Sequence, residues 1–143
     1  MLAGQLALVV AALFASAALY INLVEQPARL GLDDAALLAE WKPAYKRGFA
    51  MQASLAIIGF LLGAIAWWLN RQPGWLAGAV LMIANWPYTL LVIMPTNHQL
   101  YAITAAEAGP QSRALIKKWG SLHAVRSALG SAAVVAFLWA SLA

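Results

Sequence analysis

The sequence contains no cysteine, and only 10% of its 143 residues are charged. The absence of cysteine excludes disulfide bonds, thiolate metal sites and cysteine nucleophiles. The scarcity of charge argues against an ordinary soluble domain, in which about 25% of the residues are charged. A chain of this size also exposes too much surface to hide its 64% hydrophobic residues from water. We therefore expect lipid to surround much of the chain.

The sequence also lacks the features that would assign a familiar chemistry. It has no zinc-ligand spacing, no glycine-rich phosphate loop and no serine–histidine–acid pattern. The formal net charge is +4, and no run of basic residues accounts for it. We interpret this small excess as membrane topology and expect no nucleic-acid partner.

Four stretches reach the roughly 20 apolar residues that a transmembrane helix needs, namely 2–23, 49–69, 75–94 and 121–142. The first lacks the basic start of a signal peptide, so we expect it to be retained. Only the turn sequence NRQPG separates the second stretch from the third, which makes those helices antiparallel neighbours. The sequence therefore predicts an all-α, integral membrane, antiparallel four-helix bundle that forms a single domain over residues 1–143.

The two longer connections, 24–48 and 95–120, contain further helical signals. Asp33 or Asp34 can cap a short helix, which we expect to lie on the membrane surface with Leu37 on its apolar side. After Pro110 the chain can become helical and continue into the fourth span. Within the third span, Pro87 is expected to kink the helix and open a cavity.

The distribution of Lys and Arg predicts the orientation. Both longer connections are basic, whereas the turn at the opposite side holds only Arg71. The positive-inside rule then places both long loops in the cytoplasm and both termini outside, in the cell (inner) membrane. Trp67, Trp68 and Trp75 flank the outer turn and are typical of an interfacial aromatic belt.

Polar residues of all four spans converge at the predicted cytoplasmic end. The residues in question are Asn22, Glu25, Gln52, Tyr88, Thr89, Asn97, Trp119, His123 and Arg126. A charged group inside a span costs at least ~2.5–3.5 kcal/mol, so Glu25 and Arg126 have reason to face inward and to pair. We expect the small residues Gly48, Ser127 and Gly130 to let the helices approach one another.

Four segments resemble the anthrone oxygenase-like family of small four-helix membrane proteins. They read INLVEQPAR, WKPAYKRGFAMQA, NWPYTLLVIMPTNHQL and LHAVRSALG, and the resemblance covers nearly the whole chain. Many bacterial members of that family have no assigned function. Named members oxidise polyketide anthrones to anthraquinones without a known metal or flavin requirement, so the resemblance implies an oxygenase whose cofactor, if any, is unknown.

The resemblance suggests a division of roles among the converging residues. His123 would remove a proton from the acidic carbon of an anthrone-like substrate, and Arg126 or Asn97 would stabilise the enolate oxygen, with Glu25 as a further catalytic candidate. A flat hydrophobic molecule would arrive from the bilayer and contact aromatic and polar side chains. The candidate substrate-binding residues are Tyr88, Thr89, Gln52, Trp119, Trp86 and Asn22.

Two alternatives remain open at this point. The polar cluster of a non-enzymatic membrane binding or assembly protein would be purely structural. In a haem or metal protein, His123 would instead be a ligand, with His98 as a second haem ligand or with Glu25 and Asn97 around a metal. Lipid is an expected neighbour in every case, and a homo-oligomer is compatible with all three hypotheses.

Overall fold

The computed structural model describes all 143 residues and consists of four long helices without any strand. The helices are α1 (Leu2–Arg29), α2 (Asp34–Asn70), α3 (Pro73–Ala102) and α4 (Pro110–Leu142). Each of them is long and apolar enough to cross a membrane, judged by length and composition. The predicted all-α four-helix architecture is confirmed, and the four apolar helices are those of a membrane protein.

The helices form a square in which each packs mainly against two neighbours, and α2 and α4 also touch across the diagonal. α1 and α3 lie on opposite corners, and both contact α2 and α4. Glycines let aromatic rings enter these interfaces. A Cβ atom on Gly78 would lie 2.3 Å from the ring of Phe137, and one on Gly130 would lie 2.6 Å from Phe14. Aromatic rings therefore pack directly against the backbone of glycines in the neighbouring helix. Such close packing is what small residues permit in membrane proteins.

The second helix is longer than the apolar pattern indicated. Asp33 caps it by accepting a hydrogen bond from the Ala36 amide at 2.8 Å, and the helix then continues through Pro43 to Asn70. The expectation of a separate helix on the membrane surface is wrong, because Leu37 is fully buried in the bundle. The predicted helical continuation from Pro110 into the fourth span is confirmed.

Two helices depart from regular α geometry near one end of the bundle. α1 contains a π-helical turn at Ile21–Glu25, and α3 contains another at Thr89–Ile93. The second turn begins two residues after Pro87, and the helix continues through the proline. π-helical turns are rare and frequently mark functional sites. We call this end of the bundle, which carries both longer connections, the loop end.

The opposite end is closed by the predicted tight turn. Arg71 adopts the left-handed conformation there, with φ of 60°, and its guanidinium lies 4.2 Å from the ring centroid of Trp68 and 5.0 Å from that of Trp67. Trp75 does not join them in an aromatic belt, contrary to expectation. Its side chain is buried against Gly4, because the glycine leaves room for the indole.

The connections at the loop end are fixed by side chains. Arg113 forms an ion pair with Asp34 and donates hydrogen bonds to the carbonyls of Leu30 and Leu32. In the second connection, hydrogen bonds from the backbone and hydroxyl of Thr104 lower the pKa of the Glu107 carboxyl. Side-chain contacts thus hold both connections of the loop end in place.

We predict that Gly78→Val destabilises the protein by about 1–3 kcal/mol, because the added methyls overpack the interface with Phe137. Gly48→Ala is the matched control, since its Cβ would meet nothing closer than 3.9 Å. Thermal denaturation in mild detergent measures both. A Gly78→Val midpoint equal to that of the wild type would contradict the packing described here.

Candidate functional site

A cavity of about 330 Å³ lies at the loop end, lined by residues of α1, α2 and α4. Its volume falls within the range of roughly 300–1,000 Å³ that small-molecule sites occupy. The wall residues whose side chains carry polar groups are Tyr20, Glu25, Arg29, Tyr45, Arg47, Gln52, Trp119, His123 and Arg126. Five of the sequence-predicted site residues therefore share one cavity, namely Glu25, Gln52, Trp119, His123 and Arg126.

A hydrogen-bond network fixes the ring of His123. Its Nδ1 lies 2.7 Å from Oδ1 of Asn22, and the Asn22 amide nitrogen donates to the Gly120 carbonyl at 2.9 Å. The Ser127 hydroxyl also donates to Oδ1 of Asn22, at 2.6 Å. The Gly120 carbonyl can only accept a hydrogen bond, so the NH₂ group of Asn22 must point to it. The amide oxygen of Asn22 therefore faces the imidazole of His123 as an acceptor.

This orientation determines where the imidazole carries its proton. A neutral histidine whose Nδ1 faces an acceptor must hold the proton on Nδ1, which leaves the lone pair on Nε2. Nε2 of His123 is buried and has no protein partner. The ring stacks on Trp119 with centroids 5.0 Å apart. Neutral His123 thus has an Nε2 that is free to accept a proton.

Arg126 is buried in the same wall without a partner of opposite charge. The residue is 3% exposed, its Nε has no hydrogen-bond partner, and it takes part in none of the three ion pairs of the protein. His123 and Arg126 are three residues apart on α4 and therefore share a helix face. A buried charge without a partner costs about 3–5 kcal/mol, so this arrangement suits a site that receives an anionic group.

The expected pairing of Glu25 with Arg126 is wrong. Glu25 forms an ion pair with Arg29, one helical turn later, and Arg29 also binds Glu40 of α2 at 3.0 Å. The guanidinium of Arg29 lies 5.7 Å from the ring centroid of Trp119. Arg29 was not among the predicted site residues, although its i, i+4 spacing from Glu25 is the signal of a helical ion pair.

Two further cavity residues present polar atoms without protein partners. Gln52, which is 1% exposed, has an unpaired Nε2, and the hydroxyl of Tyr45 is likewise unpaired. Tyr45 stacks on Trp41 with centroids 5.1 Å apart, which fixes its position. Buried polar groups are normally hydrogen-bonded, so these two side chains have atoms free to bind water or a ligand.

The remaining candidates lie outside the cavity wall. Asn22 contacts Nδ1 of His123. The Tyr88 hydroxyl donates to the Leu122 carbonyl at 2.7 Å and so joins α3 to α4. Asn97 is fully buried in α3 and does not line the cavity. Trp86 and Thr89 line a second cavity of about 10 Å³, large enough for about one water molecule, on the other side of Arg126.

The residue types that would hold a metal ion do not come together. No group of three or more His, Asp or Glu side chains has a suitable arrangement. His98, the other histidine of the chain, is exposed on α3, whereas His123 is 1% exposed. Nor are His123, Glu25 and Asn97 gathered around one point, since Asn97 lies outside the cavity.

The fold and the cavity define a class: a small helical protein of the membrane type with a cavity lined by buried polar residues. The family model for anthrone oxygenase matches residues 41–136. The chain belongs to this family. The matched region includes Gln52, Trp119, His123 and Arg126, whereas Asn22 and Glu25 precede it.

Two curated relatives are similar to the chain. An anthrone oxygenase of Claviceps purpurea (strain 20.1) is 30% identical over 115 residues, which are 72% of this chain and 66% of the relative. The anthrone oxygenase tpcL of Aspergillus fumigatus (strain Af293) is 34% identical over 99 residues, covering 64% and 62%. The aligned part is thus slightly less than two thirds of each relative's length. No solved structure matches the chain.

We predict that neutral His123 carries its proton on Nδ1 alone, because Asn22 presents only an acceptor to it. Nitrogen NMR of histidine-labelled protein carrying His98→Gln isolates the His123 ring and distinguishes the two tautomers. Asn22→Leu should give a mixture of tautomers, whereas Ser127→Ala should leave the Nδ1 form unchanged. A proton found on Nε2 in the otherwise native protein would rule out the network as described.

Proposed function

We propose that the protein is a membrane-embedded oxygenase that oxidises a flat, hydrophobic, anthrone-like carbon acid in the loop-end cavity. The observation that carries the proposal is the pair formed by His123 and Arg126. His123 has an imidazole nitrogen without a partner, Arg126 has an unpaired positive charge, and both line the same cavity. Family membership and the names of the two relatives support the type of reaction.

The cavity suits such a substrate in shape and polarity. Aromatic and apolar residues, among them Phe49 and Trp119, make up much of its wall. A flat aromatic molecule would pack against these rings, while its carbonyl or phenolic oxygen would reach Arg126. The positive charge would then be balanced by the ligand, which explains why the protein supplies no carboxylate for it.

The first step in this proposal is proton transfer. An anthrone has a CH₂ group between two aromatic rings and opposite a carbonyl. His123 would take one of these protons at Nε2, and the electron pair left behind would move to the carbonyl oxygen. Arg126 would stabilise the resulting oxyanion. His123 and Arg126 thus act on the two ends of the same conjugated system.

Dioxygen would complete the reaction. The enolate gives one electron to dioxygen, and the two radicals combine to form a C–O bond and a peroxide anion. The imidazolium of His123 returns its proton to this anion. Loss of the second C–H proton, cleavage of the O–O bond and departure of hydroxide then give the ketone and water. In sum, CH₂ and O₂ become C=O and H₂O.

We also propose the orientation that the charge pattern favours. Both long connections, and with them the loop end, would face the cytoplasm of a cell that carries the protein in its inner membrane, with both termini outside. The cavity would then lie near the cytoplasmic membrane surface. A hydrophobic substrate dissolved in the bilayer would reach it without crossing the aqueous phase.

The direct test is oxygen uptake by the purified protein in mild detergent with anthrone as substrate, corrected for the rate without protein. His123→Ala should lower the rate by about 10²–10⁴-fold, the usual contribution of a general base. Arg126→Gln should lower it by about 10²–10³-fold, as loss of an oxyanion donor does. Isotopically labelled dioxygen should place one labelled atom in the new carbonyl group.

His98→Ala is the matched control, because it removes the exposed histidine of the chain and should leave the rate unchanged. Size-exclusion profiles confirm that each variant is folded. Wild-type rates in folded His123→Ala would contradict the proposed site. Binding of anthrone without any turnover would favour the non-enzymatic alternative, and a visible absorption band with stoichiometric metal that disappears in His123→Ala would favour a haem or metal protein.

A further inference from the structure

The wall of the cavity is not closed on the side between α1 and α2. Tyr20 of α1 is 55% exposed and Met51 of α2 is 51% exposed, yet both line the cavity whose other wall contains the buried His123 and Arg126. A cavity lined both by residues that are about half exposed and by residues that are buried extends from the protein surface to the site. This gap is the route that the geometry offers to the buried residues.

Gly48 lies in this gap and differs from the glycines of the helix interfaces. At Gly4, Gly63, Gly78 and Gly130, an added Cβ would lie 2.3–2.7 Å from a neighbouring aromatic ring. At Gly48 the nearest atom, Cδ1 of Ile21, would be 3.9 Å away. Gly48 was expected to let two helices approach, and this expectation is wrong. Its missing side chain contributes open space to the cavity.

The chemical character of the gap changes along its length. Towards the middle of the bundle it is bordered by Ala17, Tyr20 and Met51, and towards the loop end by Glu25 and Arg47. Apolar residues that give way to charged ones mark the level at which hydrocarbon meets the polar headgroups. A molecule dissolved in the hydrocarbon of the membrane would meet the apolar part of the gap first.

We infer that the gap between α1 and α2 is a lateral entrance from the membrane, and that Gly48 sets the width of the ligand that can pass it. The ligand class is a flat hydrophobic molecule with one polar edge. The entrance itself follows from the lining of the cavity, whereas its use by an oxygenase substrate rests on the proposed function.

The absence of cysteine permits a direct test, because a single introduced thiol is then the only thiol in the protein that can react. Gly48→Cys places a thiol in the gap, and Ala66→Cys places one in the core, where the residue is 0% exposed. Both variants are prepared in lipid nanodiscs and treated with N-ethylmaleimide, which is neutral and membrane-soluble, or with a sulfonated maleimide. Ala17→Cys reports on the same gap from α1 and replaces Gly48→Cys if that variant does not fold.

Because thiol modification follows accessibility, we expect N-ethylmaleimide to react at position 48 at least about ten-fold faster than at position 66. We also expect it to react there faster than the sulfonated reagent. Equal rates at positions 48 and 66 would show that there is no open gap. Faster labelling by the sulfonated reagent would show that the opening faces water, and either result overturns the inference.

The width of the entrance is tested by substitution at the same position. Gly48→Leu should lower kcat/KM for anthrone by about ten-fold or more. The leucine side chain would occupy space that the substrate needs, and a steric conflict of this kind changes kcat/KM by about that factor or more. Gly48→Ala should change it much less. Equal kcat/KM in wild type and folded Gly48→Leu would contradict the assigned role. If no turnover is found at all, the labelling rates still decide whether the entrance exists.

Discussion

The central constraint on the structure is a buried charge: the Arg126 guanidinium lies inside the protein without a carboxylate partner. In an apolar bundle this charge is expensive, and a protein selected only for stability would pair it or replace it. Glu25 lines the same cavity, yet it forms its ion pair with Arg29 instead. In the proposed function, the anionic oxygen of the substrate would complete the ion pair that the protein omits.

The fold supplies the conditions under which such a charge is useful. α4 places His123 one turn before Arg126, and the π-helical turn of α1 contains Asn22, which holds the imidazole in one tautomer. The amide of Asn22 is itself oriented by the Gly120 carbonyl and the Ser127 hydroxyl. The imidazole is thus held in place by the protein, and the Arg126 guanidinium lies in the same cavity wall. In the proposed function, this arrangement would supply part of the preorganisation on which electrostatic catalysis depends.

Much of this could be predicted from the sequence, because membrane spans are recognisable from composition. The four helices, the tight turn near Arg71 and the gathering of polar residues at one end all followed from hydropathy and spacing. The individual contacts did not. Charge alone could not tell whether Glu25 would bind Arg126 or Arg29, since both pairings are electrostatically reasonable. Gly48 looked like a packing glycine, and only the position of its neighbours identified it as part of a cavity.

The most direct test of the central claim is a spectrophotometric titration of a hydroxyanthraquinone, whose colour reports its ionisation, bound to the wild-type protein in mild detergent. If the positive charge of Arg126 awaits an anionic oxygen, the bound dye should ionise at a lower pH than the same dye in protein-free micelles. Folded Arg126→Gln should abolish this difference. A bound dye that ionises at the same pH as in empty micelles, or at a higher pH, would contradict the account.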